Sequence, residues 1–431
     1  MSIIYNFFFN RINLLNFLIG LIPLSIILGN LAINTNIILI IIVGTLIFGA
    51  KIFILEKKLL NYLIYFFFFY LLLITFSNNW NLLNENFLYK ENIIKSIFYL
   101  RFLLLFLVIN KLIESNSFNI RFFFISCTFF SIIISIDILI QFFLKKNIIG
   151  IEISNARPSS FFNEENVAGG FLQKFSLFFV CIFGLNTKYK QNSKSYFYIT
   201  ILTLFFISIL FSGNKMSLLI FLSIIFFFLI LEKNYSAVLL SLFLATVLIF
   251  FSFKIILPER MKINLHSFLV DSVKIIKEAP QLFIYNENKS IKNFGTGYIV
   301  HFNTGIQIWK KNKVFGNGLK SFKLKCSYQP YQTCNTHPHN YFIEIMVDTG
   351  LIGLGTIYLI LVLGIINFFK KYYNNYNIRN KFIGNIIFLL IVFELFPIRS
   401  TGSFFTTGNS FFIFLILPIF LNLNKLHFYN K

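Results

Sequence analysis

The residues best placed to do chemistry are His337 and His339, which flank Pro338 and precede Asn340 at the mouth of an apolar run, "THPHNYFIEIMVDTGLIGLG". The chain has only five histidines in 431 residues, so two this close call for a reason. An imidazole near neutral pH can act as a general base or a charge sensor. The stretch also reads as a plain helix start with incidental histidines. Thr336 or Asn340 can cap the helix, Pro338 restrains the chain before it, and Glu344 puts a carboxylate in the first turn. Three cations stand in short polar stretches: Arg157 in "NARPSSFF", Lys215 in "SGNK" and Arg399 in "FPIRSTG". A guanidinium meets phosphate oxygens through a planar fork, whereas a lysine supplies charge without the fork. Each also reads as an interfacial or snorkelling cation. Glu164 and Glu165 are adjacent acids, but their spacing does not set up the opposed carboxylates of a glycosidase. No P-loop, zinc-type Cys/His spacing or Asp-x-Asp metal motif appears.

The elements that must hold these groups are membrane helices. The chain is 57% hydrophobic and 13% charged, with a mean hydropathy of +0.76. Its apolar runs are continuous and long enough to span a bilayer, which excludes a soluble domain and favours helices over a barrel. The fold class is therefore all-α and polytopic. Twelve spans are expected, at 12–30, 35–53, 59–76, 93–110, 121–143, 168–185, 196–212, 215–231, 236–254, 340–369, 381–397 and 410–424. The net charge of +22 sits largely in short loops, where it sets topology rather than binding nucleic acid. Even-numbered loops carry Lys57 and Lys58, Lys111 and Arg121, and Lys370 and Lys371; odd-numbered short loops are poorer. The positive-inside rule then puts both termini in the cytoplasm and every unusual polar stretch outside.

Three regions follow: nine spans over 1–254, a large outer loop over 255–339, and three spans over 340–431. Within the loop, Leu269, Val273, Ile276 and Leu282 suggest one amphipathic helix. A second is expected from about Tyr298 to Lys311, ending before a turn at Gly316 and Gly318. His301 falls on its Gly305 and Trp309 side. Cys127 and Cys181 lie in spans and read as small apolar residues. Cys326 and Cys334 share the outer loop, where a disulfide between them is expected and would fix the chain leading to His339. A metal site built from these cysteines with His337 and His339 is the weaker reading, because oxidation competes with zinc. His337 is expected to point away from His339 across Pro338.

"HPHNYFIEIMVDTGLIG" resembles the His-Asn-x-x-(Leu/Ile)-x-x-x-x-x-(Glu/Asp)-x-Gly-x-x-Gly pattern of the bacterial O-antigen ligase and O-antigen polymerase family. "IQIWKKNKVFGNGLKSF" is similar to that family's helix followed by Gly-x-Gly-x-x-x-Phe, matched by Gly316, Gly318 and Phe322. "RPSSFFNEENVAGGFL" and "SGNKMSLL" resemble its outer-loop arginine and its Ser-Gly-x-Arg stretch, with Lys215 in place of arginine. The resemblance covers roughly residues 155–400. It implies a fold similar to the membrane-embedded C-type glycosyltransferases and an inverting transfer without metal or other cofactor. The glycan would pass from an undecaprenyl-pyrophosphate donor to lipid A–core, or to another lipid-linked glycan, at the periplasmic face of the inner membrane. It further implies that His339 is the essential histidine and that Arg157, with Lys215 or Arg399, binds the pyrophosphate. His301, His337, Asn340 and Glu344 would stand near the acceptor or support the site. A transporter or flippase of lipid-linked sugars is the rival of a different class. It predicts polar residues deep in several spans, where only isolated ones such as Asp137 are seen.

Overall fold

The computed structural model describes residues 11–54, 59–82, 87–153, 157–163, 165–186, 193–232, 270, 297–326, 335–373, 378–397, 399 and 402–426. Among these, the chain is helical and contains no strand. In lipid no water satisfies the backbone, so each apolar run closes its own hydrogen bonds as a helix. The helices are α1 (Arg11–Gly20), α2 (Ile22–Leu28), α3 (Asn30–Phe48), α4 (Leu59–Asn79), α5 (Phe87–Glu114), α6 (Ile120–Leu144), α7 (Ala168–Phe175) and α8 (Phe178–Asn186). They continue as α9 (Ser193–Phe211), α10 (Lys215–Leu231), α11 (Gly297–Lys311), α12 (Ser321–Cys326), α13 (Tyr341–Asn367), α14 (Ile378–Glu394) and α15 (Thr407–Leu421).

A helix stands at each expected span except 236–254, which lies outside the described residues, as does the expected helix around Leu269–Leu282. Five described helices are long and apolar enough to cross a membrane alone, or six if α1 and α2 count as one bent span. The protein is thus a multi-pass membrane protein. The turn between α9 and α10 falls at Ser212–Asn214, as "SGNK" predicts.

Besides the short turn at 176–177 between α7 and α8, two expected spans are broken. The run 12–30 bends by 47° between α1 and α2. Pro23 opens α2, and a proline cannot donate back to the preceding turn. The second break divides α13 at Gly350, whose φ of 63° lies in the left-handed region. There the loop 312–318 threads into the break. The amides of Asn317 and Gly318 donate to the carbonyls of Val347 and Asp348 at 3.0 and 2.8 Å. Beyond the break, the amides of Leu351 and Ile352 donate to Lys313 and Val314 at 3.0 and 3.3 Å. Both broken ends are therefore satisfied by one loop, as buried helix ends must be. Gly350 thus serves this break, whereas a β-carbon on Gly355 would meet open space.

Lipid offers no hydrophobic drive between helices, so packing holds them together. Phenylalanines supply much of it. Rings of Phe68 and Phe414 lie 4.9 Å apart, Tyr99 lies 5.4 Å from Phe405, and the Tyr99 hydroxyl reaches Ser410 at 2.9 Å. These contacts lock α4 and α5 to α15, while α11 and α12 pack on α13. Helices α11 and α12 are thus part of the bundle.

A candidate active site at one end of the bundle

The His-Pro-His-Asn stretch lies at the start of α13, and Asn340 is the residue that caps it. Its side-chain oxygen accepts from the Ile343 amide at 2.9 Å. Its amide nitrogen donates to the carbonyls of Pro397 and Arg399 at 2.7 and 2.9 Å. One turn on, buried Glu344 accepts from the Ser403 hydroxyl and the Phe404 amide, each at 2.6 Å. Asn340 and Glu344 therefore clip the α14–α15 loop onto the α13 terminus.

His339 itself has a φ of 57°, a left-handed conformation that costs a non-glycine residue about 1–2 kcal/mol. That turn folds the chain back, and it corrects the expected placement of His337. The two ring centroids lie 4.3 Å apart, tilted by 51°, instead of diverging across Pro338. His301 approaches from α11, its ring 5.4 Å from that of His339. It can come this close because Gly305, one turn further along α11, packs directly under Pro338 and Ile343. The Gly305 side named from the sequence is the side that meets the histidines.

Asn335 was not singled out in the sequence, yet it fixes the state of His339. The Asn335 carbonyl oxygen accepts from the Thr336 amide at 2.8 Å. Its NH2 group then faces His339 Nε2 at 2.7 Å. An amide nitrogen only donates, so Nε2 is the unprotonated nitrogen and the ring proton sits on Nδ1. Burial, followed by the charge of His301, lowers the His339 pKa. Burial lowers that of His301 and, with His339 as the next cause, brings His337 down to about 4. The cluster is accordingly neutral at pH 7. Among the described residues no group of three His, Cys, Asp or Glu side chains is arranged to hold a metal ion.

Arg157 lies over the α9–α10 turn, where a β-carbon on Gly213 would sit 3.3 Å from its Cγ and Cδ. The Asn214 side-chain nitrogen donates to the Asn166 carbonyl at 2.7 Å, and Gly169 of α7 packs on Ser212. The structure thus brings the Arg157 loop together with the turn that carries Lys215. Glu165 lies in the same loop, and Glu164 lies outside the described residues. Arg399 is buried rather than in a headgroup position. It forms an ion pair with Glu394 at 2.5 Å and lies 4.7 Å over the Tyr341 ring. Lys174 of α7 shares Glu394 at 3.3 Å and also bonds Asn409. Neither Lys174 nor Glu394 stood out from the motifs. The signal was there all the same: each is a charge inside an apolar run, which is costly without a partner.

Gly316 and Gly318 form the threading loop, and Gly318 packs on Thr75 and Asn79 at the end of α4. Buried Asp348 accepts from the Lys320 amide at 2.8 Å and the Ser321 hydroxyl at 2.7 Å, holding α12. Phe322 of α12 is buried below Gly305. Cys326 ends α12 and is disulfide-bonded; Cys334, its expected partner, lies outside the described residues.

The family model described as O-antigen ligase matches residues 199–358. The match takes in Lys215, His301, Gly316, Gly318, Phe322, Cys326, Cys334, His337, His339, Asn340 and Glu344, and leaves Arg157 and Arg399 outside. No curated protein matches the chain. Residues 199–358 are thus similar to the O-antigen ligase family model, and the motifs around His339 and the Gly316 loop lie within that match.

Proposed function

We propose that the protein is a membrane glycosyltransferase that moves a glycan from an undecaprenyl-pyrophosphate donor to lipid A–core at the periplasmic face of the inner membrane. The observation that carries this reading is His339. It is a neutral imidazole whose Nε2 faces the Asn335 side-chain amide, held at a bundle end within the family match. The acceptor hydroxyl replaces Asn335 at Nε2 and gives up its proton there. Its oxygen forms the new bond to the anomeric carbon as the carbon–oxygen bond to pyrophosphate breaks. The bonding pair leaves with the pyrophosphate, and Arg157 and Lys215 offset its charge. A hydroxyl is a far weaker acid than imidazolium, so proton transfer accompanies bond breaking rather than preceding it. One displacement inverts the anomeric carbon and needs no covalent nucleophile or metal. Arg399 acts through Glu394 and the loop that Asn340 holds.

A glycan gel from a strain lacking the gene tests the assignment. A ligase leaves lipid-linked polymer intact while long surface chains disappear. A ladder reduced to a single capped repeat would assign a polymerase instead. Unchanged surface chains would overturn the transferase reading.

A further inference from the structure

Beside the histidines is a cavity between the start of α5 and the residues around α12. Lys95, Glu91 and Asn92 line it from α5; Lys320, Lys323 and Thr336 line it from the other wall. Thr336 adjoins the histidine cluster directly, with its hydroxyl 2.9 Å from His337 Nδ1. Lys95 is neutralised by Glu91 at 2.6 Å. Lys320 and Lys323 form no ion pair with a carboxylate of the cavity wall, although the Lys320 charge acts on buried Asp348 and Glu344 behind it. The lining of the cavity itself thus carries three ammonium groups and one carboxylate. Asn92, in its wall, is 4% exposed, and its amide nitrogen is buried with no acceptor. Lys320 is placed firmly: its backbone is left-handed, with φ 60°, and its amide is held by buried Asp348. Excess positive charge and an unsatisfied donor together call for acceptor oxygens.

We infer that this cavity binds an anionic group, phosphate or carboxylate, carried by the acceptor molecule near its reacting hydroxyl. The inference rests on the proposed transfer reaction, because the cavity adjoins the histidines assigned to the acceptor and not the Arg157 loop assigned to the donor. It makes Lys320 and Lys323 specificity residues: a charged acceptor is held and a neutral one is not.

The test uses full-length protein in nanodiscs of zwitterionic lipid, with lipid A–core as acceptor, either phosphorylated or enzymatically stripped of phosphate. Wild type and the Lys320→Gln/Lys323→Gln double variant are compared, with thermal melting as the check on folding and Lys323→Gln alone as the variant remote from the Asp348 contact. We expect the double variant to raise the acceptor KM about tenfold, the size of two modest charge-assisted contacts, with the donor KM unchanged. Stripping the acceptor should cost wild type the same factor and cost the double variant nothing more. Equal losses on both acceptors, or a raised donor KM, would overturn the inference. So would a variant that loses affinity only for nanodiscs containing anionic lipid, since the cavity would then serve headgroups. Binding of phosphorylated lipid A–core is also measured without donor. Lysine-dependent binding by wild type without any transfer would refute the proposed reaction and leave the anion site standing.

Discussion

At the scale of single residues, the proposed reaction separates two tasks. In it His339 takes the acceptor and Arg157 the donor, so their substitutions should fail differently. His339→Ala should lower turnover by about 10²–10⁴-fold, the usual worth of a general base, while donor binding persists. Arg157→Ala should weaken donor binding itself; transfer and donor binding measured on each purified variant distinguish the two. The pH profile carries a second prediction. The working form is neutral imidazole, and burial holds the His339 pKa below its ordinary 6.5. Activity should therefore be retained at pH 6.5 and fall only as pH drops through the lowered pKa. Asn335→Asp sets a carboxylate beside Nε2 and stabilises the imidazolium. The acid limb should then move to higher pH, whereas Asn335→Ala, which adds no charge, should move it much less. An acid limb in the same place for wild type and Asn335→Asp would show that the Asn335 contact does not set the state of His339.

At the scale of elements, the broken helix α13 is the central device. Its first half carries His339 and Asn340 at its start and Asp348 near its end; the threading loop fastens that end. A β-carbon on Gly350 would overlap the Val314 carbonyl, and one on Gly316 would overlap the Gly350 amide, so the two backbones touch where neither tolerates a side chain. Gly350→Ala adds that overlap to a left-handed backbone penalty of about 1–2 kcal/mol. We expect a marked fall in melting temperature and in transfer. Gly355 has a helical backbone and open space around its α-carbon, so Gly355→Ala should be neutral or stabilising by about 0.4–1 kcal/mol. Thermal melts of the two variants in one detergent compare them; equal melting temperatures would remove the loop's fastening role. Glu394 belongs to this scale too. It holds α7 through Lys174 and the Arg399 loop at once, and removing a partner from a buried ion network costs about 3–5 kcal/mol.

At the scale of the whole molecule, the candidate groups gather at one end of the bundle. The opposite end carries a different kind of polar contact, such as Asn110 with Asn422 and Glu232 with Asn385. If the histidine end faces the periplasm, as the loop charges indicate, alkaline phosphatase fused near residue 288 should be active and a fluorescent protein fused there should stay dark. The reverse pattern would put the histidines in the cytoplasm and remove the proposed donor and acceptor from reach.

The sequence by itself determined the class and most helix positions, because in lipid an apolar run has almost no alternative to closing its own backbone hydrogen bonds. It also marked His339, Asn340, Gly316 and Gly318 through local patterns that survive without knowledge of neighbours. Only the tertiary structure decided what depends on distant partners. The break at Gly350 was hidden because an isolated glycine inside an apolar run reads as tolerated helix; loop 312–318, more than 30 residues upstream, is what satisfies its opened ends. The close approach of His337 to His339 came from one left-handed backbone angle, which composition does not announce. Glu394 and Lys174 stand more than 200 residues apart in the chain. Their charges are affordable in the membrane only because folding places them together with Arg399.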